Sequence, residues 1–211
     1  FFRPRMRLNI PLTGIIRPHL TLINDQGKRM RYAPRMHIEN NHQPLPDGLS
    51  VSAERAWIAD AIARLDEEQG GCAETSMLAL RLSGFPDIGL LLKDESAHPT
   101  GSLKHRLARS LFLYALCSGR LRRGQTVIDA SSGSTAISEA WFARRLSLPF
   151  IAVMPRSTSL AKQVEIPALG GQCALIEDGD DATQYAQDMA RRQAACYLDQ
   201  FNLAGSATDW R

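Results

Sequence analysis

Two groups of residues in this 211-residue sequence have the types and spacing to do chemistry. The first is Lys104, which follows the turn Pro99-Thr100-Gly101-Ser102 and precedes His105 and Arg106. A helix N-terminus is already electropositive and disfavours cations. Local positive charge therefore opposes the ammonium form of a lysine placed there, and burial would oppose it further. An amine kept partly neutral is what Schiff-base chemistry with an aldehyde cofactor requires. The plainer alternative is a solvated lysine on an exposed turn. The second group is Ser131-Ser132-Gly133-Ser134-Thr135. A strand-to-helix turn of hydroxyls and glycine offers free N–H groups and the positive end of a helix dipole, so a carboxylate or phosphate fits it. Ordinary capping explains one or two such residues; five in a row favour an anion site.

Other chemistries fail on spacing. GxxxxGK[ST] and GxGxxG are absent, and Ser132 follows Ala130-Ser131 rather than the Gly-x of a GxSxG nucleophile. His98 and His105 are weak signals, no metal triad can be assembled from five histidines, and no metal is assigned. Arg106 and Arg109 are expected to pair with Asp94 and Glu95.

The elements that position these residues follow from periodicity. Ser52 caps a helix over 52–71, with Trp57, Ile58, Ala61, Ile62 and Leu65 at three-to-four spacing. Residues 88–92 read as a buried strand. A helix capped by Ser102 runs over 102–117, with Leu103, Leu107, Leu111 and Ala115 on one face. Strands follow at 126–130, 150–154, 173–176 and 196–198, with helices at 135–146, 159–169 and 181–194. Apolar strands alternating with helices predict an α/β fold, a parallel sheet covered on both faces as a three-layer αβα sandwich. Ligands bind such sheets at the carboxyl ends of strands, which places the loops 95–102 and 131–134 on one edge.

Composition, at 44% apolar and 22% charged, is that of an ordinary globular protein. No apolar run is long enough for a membrane span, and four cysteines without CxxC spacing suggest a reduced, cytoplasmic setting. Residues 1–50 hold eight Lys/Arg against three Asp/Glu, a net of +5, while the remainder holds seventeen against nineteen, a net of −2. The basic excess thus belongs to a proline-bearing leader, expected to be disordered, and a nucleic-acid partner is excluded for the body. An organelle-targeting role for the leader is the lesser reading.

The motif Lys93-Asp-Glu-x-x-x-Pro-Thr-Gly-Ser-Leu-Lys104, Ala130-Ser-Ser-Gly-Ser-Thr135, and Asp199-Gln200-Phe201 stand in an order and spacing that resembles the fold-type II pyridoxal-phosphate enzymes. These are the cysteine synthase, cystathionine β-synthase and serine/threonine dehydratase group, and the resemblance covers residues 52–211. It implies that Lys104 binds the aldehyde of pyridoxal 5'-phosphate and later moves the substrate's α-proton. Ser131, Ser132, Gly133, Ser134 and Thr135 would hold the amino-acid carboxylate, with Gln200 assisting. Ser134 stands where cysteine synthases carry an Asn that contacts the cofactor, so the cofactor contact falls to Ser134. His105 stands where they carry Asp, and Thr75-Ser-Met-Leu78 only loosely matches their Thr-Pro-Leu segment. The Lys-His-Arg and Ser-Ser-Gly-Ser-Thr forms resemble the cysteine desulfhydrase branch.

The implied activity is β-elimination or β-replacement on L-cysteine or O-activated L-serine. The alternatives are a serine/threonine dehydratase and a non-catalytic remnant. By the same resemblance, 51–87 belong with a larger domain, 88–200 form the smaller domain carrying the lysine, and 201–211 approach the larger domain. The family's phosphate cup lies beyond Arg211, so the chain reads as a fragment of an enzyme that is a homodimer at full length.

Overall fold

The computed structural model describes residues 21–23, 29–31, 50–71 and 74–209, in two units divided between Pro44 and Leu45. The first unit holds an antiparallel pair, β1 (Thr21–Ile23) and β2 (Arg29–Arg31). The expected disorder of the leader otherwise falls outside the described residues.

The second unit begins with helix α1 (Val51–Gly71). Its cap is Ser50, whose Oγ accepts the Ala53 N–H at 3.2 Å, rather than the expected Ser52, because the helix already begins at Val51. Ala61 and Leu65 are buried, with Trp57, Ile58 and Ile62 packed beside them, as the spacing predicts. Strands β3 (Met77–Leu82) and β4 (Phe85–Lys93) follow. They form a separate antiparallel hairpin, so residues 88–92 do not join the parallel sheet. Only Ser83 and Gly84 separate the strands, too short a link for anything but a hairpin.

From there the chain alternates: α2 (Lys104–Cys117), β5 (Val127–Ala130), α3 (Ser134–Arg145), β6 (Phe150–Pro155), α4 (Leu160–Ala168), β7 (Gln172–Ile176), α5 (Ala182–Arg192), β8 (Cys196–Tyr197) and α6 (Gln200–Asp209). The four strands run parallel in the order β7-β6-β5-β8. Strand pleating sends alternate residues to opposite faces. Val127, Phe150, Ala152 and Met154 join α1, α2, α3 and α4 in one core. Ile128, Ala130, Val153 and Ile176 meet Ala186 and Ala190 of α5 in the other. The result is the expected three-layer α/β arrangement around a parallel sheet.

The buried face of α2 differs from the predicted stripe. Leu111 and Ala115 are buried, but Leu103 is 56% exposed and Leu107 only half-buried. His105, Ala108, Arg109 and Phe112 instead face inward, because the helix packs against both α1 and α3 and so buries a wider arc.

Candidate active site

Lys104 is the first residue of α2 and is half-exposed. Its N–H donates to Ser102 Oγ at 3.2 Å, and the His105 and Arg106 N–H groups reach back to the carbonyls of Ser102 and Leu103. These three-residue bonds tighten the first turn. Gly101, at φ +64°, supplies the left-handed step that begins it. Among the described residues, none hydrogen-bonds or ion-pairs with Lys104 Nζ.

The cations around Lys104 are not left uncompensated. Arg106 lies against Glu95 as expected, with Nε to Oε2 at 2.7 Å and Nη2 to Oε1 at 3.1 Å. Arg109 departs from expectation. It turns to α1, donating to the Leu65 carbonyl at 2.9 Å and Asp66 at 3.0 Å, with Glu68 Oε2 at 3.6 Å. Asp94 accepts from Ser96 in a short turn over Glu95–Ala97. Glu95 is the anchor of this segment: it also accepts from Thr75 Oγ1 at 2.6 Å and meets His98 Nε2 at 3.0 Å. The Arg106 guanidinium and then the Thr75 hydroxyl hold its carboxyl down to about 2.

The hydroxyl loop leaves β5 and enters α3. Ser131 Oγ accepts from the N–H groups of Gly133 (3.3 Å) and Ala136 (3.2 Å), so this loop hydroxyl satisfies a first-turn N–H of the helix from outside it. Ser132 is exposed, Gly133 and Ser134 are half-buried, and Thr135 is buried. The Ser134 and Thr135 N–H groups, in the helix's first turn, have no intrahelical carbonyl to bond. They and the hydroxyls of Ser132, Ser134 and Thr135 are the donors available to an anion. Gln200 opens α6 and is buried, and its Nε2 donates to the Ala130 carbonyl at 2.9 Å, immediately before the loop. The side chain thus fixes the base of the loop.

The two turns do not share a sheet edge, since β4 lies outside the parallel sheet. A side-chain bond joins them instead. Thr100 Oγ1, in the lysine turn, lies 2.9 Å from Ser138 Oγ in the second turn of α3. The turn that carries Lys104 is thereby tied to α3.

Periodicity did not single out two further groups. His105 is buried between Thr100 and Glu68. The signal lay in Glu68, an acidic residue on the same helical face as Ala61 and Leu65. The other is the carboxyl pair Asp129 and Glu139, both fully buried, with Asp129 Oδ2 and both Glu139 oxygens lacking a partner of ordinary donor type. Burial pushes Asp129 up to about 6; burial and then the Asp129 charge push Glu139 well above the usual carboxylate range. An Asp inside the otherwise apolar strand Val-Ile-Asp-Ala was the available clue.

Comparison with known proteins bears directly on this arrangement. The profile of the family described as "Pyridoxal-phosphate dependent enzyme" matches residues 69–209. The chain belongs to this family. It is 48% identical over 164 residues to the L-cysteine desulfhydrase Cds1 of Mycobacterium tuberculosis, covering 76% of this chain and 45% of that protein. To cysteine synthase B of Pseudomonas syringae it is 34% identical, covering 57% of this chain and 73% of that one. The crystal structure of O-ureido-L-serine synthase superposes at TM-score 0.61 with 29% identity, covering 68% and 46%. A hydrogen sulfide-producing enzyme of Fusobacterium nucleatum shares the fold at TM-score 0.63 and 23% identity, over 69% and 46% of the two chains. The chain thus spans about half the length of the desulfhydrase and of both structural neighbours.

The family's cofactor is pyridoxal 5'-phosphate. The residues here fit its aldehyde end. An amine without a partner among the described residues stands at Lys104, and unbonded N–H groups stand at Ser134 and Thr135. No helix among the described residues is long and apolar enough to cross a membrane, and no group of His, Cys, Asp and Glu among them could hold a metal ion.

Proposed function

We propose that this chain forms part of an enzyme catalysing β-elimination or β-replacement on L-cysteine or an O-activated L-serine. One observation carries the reading: the Thr100–Ser138 bond holds the Lys104 turn against the helix that opens with the hydroxyl loop. Its similarity to an L-cysteine desulfhydrase and to cysteine synthases supports the same substrate class. Pyridoxal 5'-phosphate, when bound, supplies the electron sink for charge developing at Cα.

The chain's own residues divide the remaining work. Lys104 would hold the cofactor through its aldehyde, and its Nζ would accept the substrate's α-proton. The N–H groups of Ser134 and Thr135, with the hydroxyls of Ser132, Ser134 and Thr135, hold the substrate carboxylate at the positive end of α3. Ser134 also contacts the cofactor. Ser131 and Gln200 keep the loop in shape, the first by capping and the second through Ala130. For cysteine, the Cα–H and Cβ–S bonds break, the proton goes to Lys104, and sulfur leaves as sulfide. Water then releases pyruvate and ammonia, or a second thiol adds at Cβ. The desulfhydrase outcome is favoured by the 48% identity. A small amino acid as substrate, a homodimer at full length and a cytoplasmic setting belong to the same proposal.

The test is incubation with pyridoxal 5'-phosphate, followed by absorption spectroscopy and sulfide release from L-cysteine. A visible band of lysine-bound cofactor is expected for the wild type and none for Lys104→Ala; equal bands would remove Lys104 from its role. Faster turnover of serine or threonine than cysteine would mark a dehydratase. Binding without turnover would mark a non-catalytic chain.

A further inference from the structure

The imidazole of His105 closes the turn that carries Lys104 and fastens that turn to α3. Its Nε2 lies 2.7 Å from Glu68 Oε1, and its Nδ1 lies 3.1 Å from Thr100 Oγ1. Thr100 Oγ1 is in turn 2.9 Å from Ser138 Oγ. The ring is sealed in place, stacked on His98 at 5.1 Å and flanked by Trp141 at 5.0 Å and Phe142 at 4.6 Å. His105 is 2% exposed, and Ser138 is completely buried.

Donor and acceptor counting fixes the direction of this chain of bonds. A carboxylate only accepts, so Nε2 carries the hydrogen toward Glu68. If Nδ1 also carried one, Thr100 would accept from it and donate to Ser138. The buried Ser138 O–H would then have no acceptor among the described residues, a costly arrangement. With Nδ1 bare, every group is satisfied: Ser138 donates to Thr100, Thr100 to His105, and His105 to Glu68.

We propose that His105, oriented by Glu68, is a positioning residue that sets the Lys104 amine against the carboxylate loop through Thr100 and Ser138. Thr100 and His105 are the two ends of the six-residue segment containing Lys104, so one ring holds both ends of the turn. Ser138 lies one helical turn beyond Ser134, so the same chain of bonds fixes the turn relative to the first N–H groups of α3. The proposal rests on the functional reading above for the purpose of Lys104. Its structural content is independent of that reading.

Thr100 provides the test, because valine removes only the hydroxyl while keeping the shape, and serine restores it. In the whole chain without cofactor, amide hydrogen exchange at Lys104 and His105 is expected to speed up in Thr100→Val and to return to the wild-type rate in Thr100→Ser. Nitrogen-15 NMR should report the Nε2–H tautomer of His105 in the wild type. Trapping with pyridoxal 5'-phosphate and cyanoborohydride, read by mass spectrometry at Lys104, should slow about tenfold in Thr100→Val, since small misplacement of a reacting group is expensive. Unchanged exchange in Thr100→Val, or an Nδ1–H tautomer, would overturn the proposal. Equal slowing in the valine and serine variants would also overturn it, by showing that the hydroxyl is not what matters. Absence of any wild-type adduct at Lys104 would instead count against the functional reading, leaving exchange and tautomer to decide this one.

Discussion

The Asp129 and Glu139 carboxyls show how a single residue makes the stability of this chain depend on pH. Asp129 lies directly behind the hydroxyl loop and accepts the Ala130 N–H at 2.9 Å. Its folded value of about 6 lies above the 3.8 of an unperturbed aspartate, chiefly through burial. The folded state therefore holds a proton that the unfolded state has released, and stability falls as pH rises from about 4 through about 6. In Asp129→Asn the Asp129 share of this loss should disappear while buried Glu139 keeps its own, giving a flatter dependence in urea titrations between pH 4.5 and 7.5; a slope equal to the wild type would refute the assignment. Glu95 has the opposite sign. Held down to about 2 by Arg106 and Thr75, it stabilises above its ordinary value of 4.5, and that contribution is lost as pH falls through 2. Glu95→Gln should therefore blunt acid unfolding of the Arg106 turn, followed by circular dichroism below pH 5. At this scale the sequence disclosed Lys104 and the hydroxyl loop, because their types are unusual for their positions. It did not disclose His105, Glu68 or Glu139, whose meaning depends on partners 37 residues away in one case and on complete burial in the other.

Elements were legible where one periodicity ruled a segment. The four strands and three helices from β5 to β8 stand close to their expected bounds, because continuous apolar runs separated by glycine turns leave little choice. Two misreadings share a cause. The 88–92 strand and the Leu103-Leu107 stripe are both apolar, and apolarity alone does not say which neighbour a face will meet. The strand found its partner in β3 rather than in the sheet, and α2 turned His105 and Arg109 inward because α1 offered Glu68, Asp66 and the Leu65 carbonyl. Packing between α4 and the sheet gives a direct check of the core so formed. A Cβ added to Gly171 would sit 2.9 Å from Ile166 Cγ2 and 3.1 Å from a Phe150 ring carbon, with the Ile166 carbonyl at 3.3 Å. Both side chains are buried, so neither yields easily. Gly171→Ala should destabilise by about 1–3 kcal/mol, as overpacked cores do. Urea unfolding measures this, and a wild-type midpoint would show that α4 shifts freely.

For the whole molecule, the hairpin β3–β4 is the feature least explained by the chain itself. Leu78, Leu80, Leu82, Ile88, Leu90, Leu91 and Leu92 are all exposed, Leu91 at 63%. Successive strand residues point to opposite faces, so the run Leu90-Leu91-Leu92 presents apolar side chains on both. A two-stranded hairpin has two open edges and is marginal in water unless something packs on it. Exposed apolar area of this kind marks a contact surface or a route to aggregation. The 211-residue chain on its own is therefore expected to self-associate through the hairpin. Sedimentation velocity should show oligomers whose proportion rises with concentration. Replacing Leu80 and Leu91 together with lysine should return the chain to a monomer, since charge on an edge strand opposes pairing with another copy. The same pair of changes leaves the parallel sheet and the Lys104 turn untouched, so circular dichroism and cofactor trapping at Lys104 should match the wild type. A wild-type chain that sediments as a single monomer at all concentrations would show that the exposed leucines do not drive association. Oligomers that persist in the double-lysine variant would place the contact elsewhere on the chain.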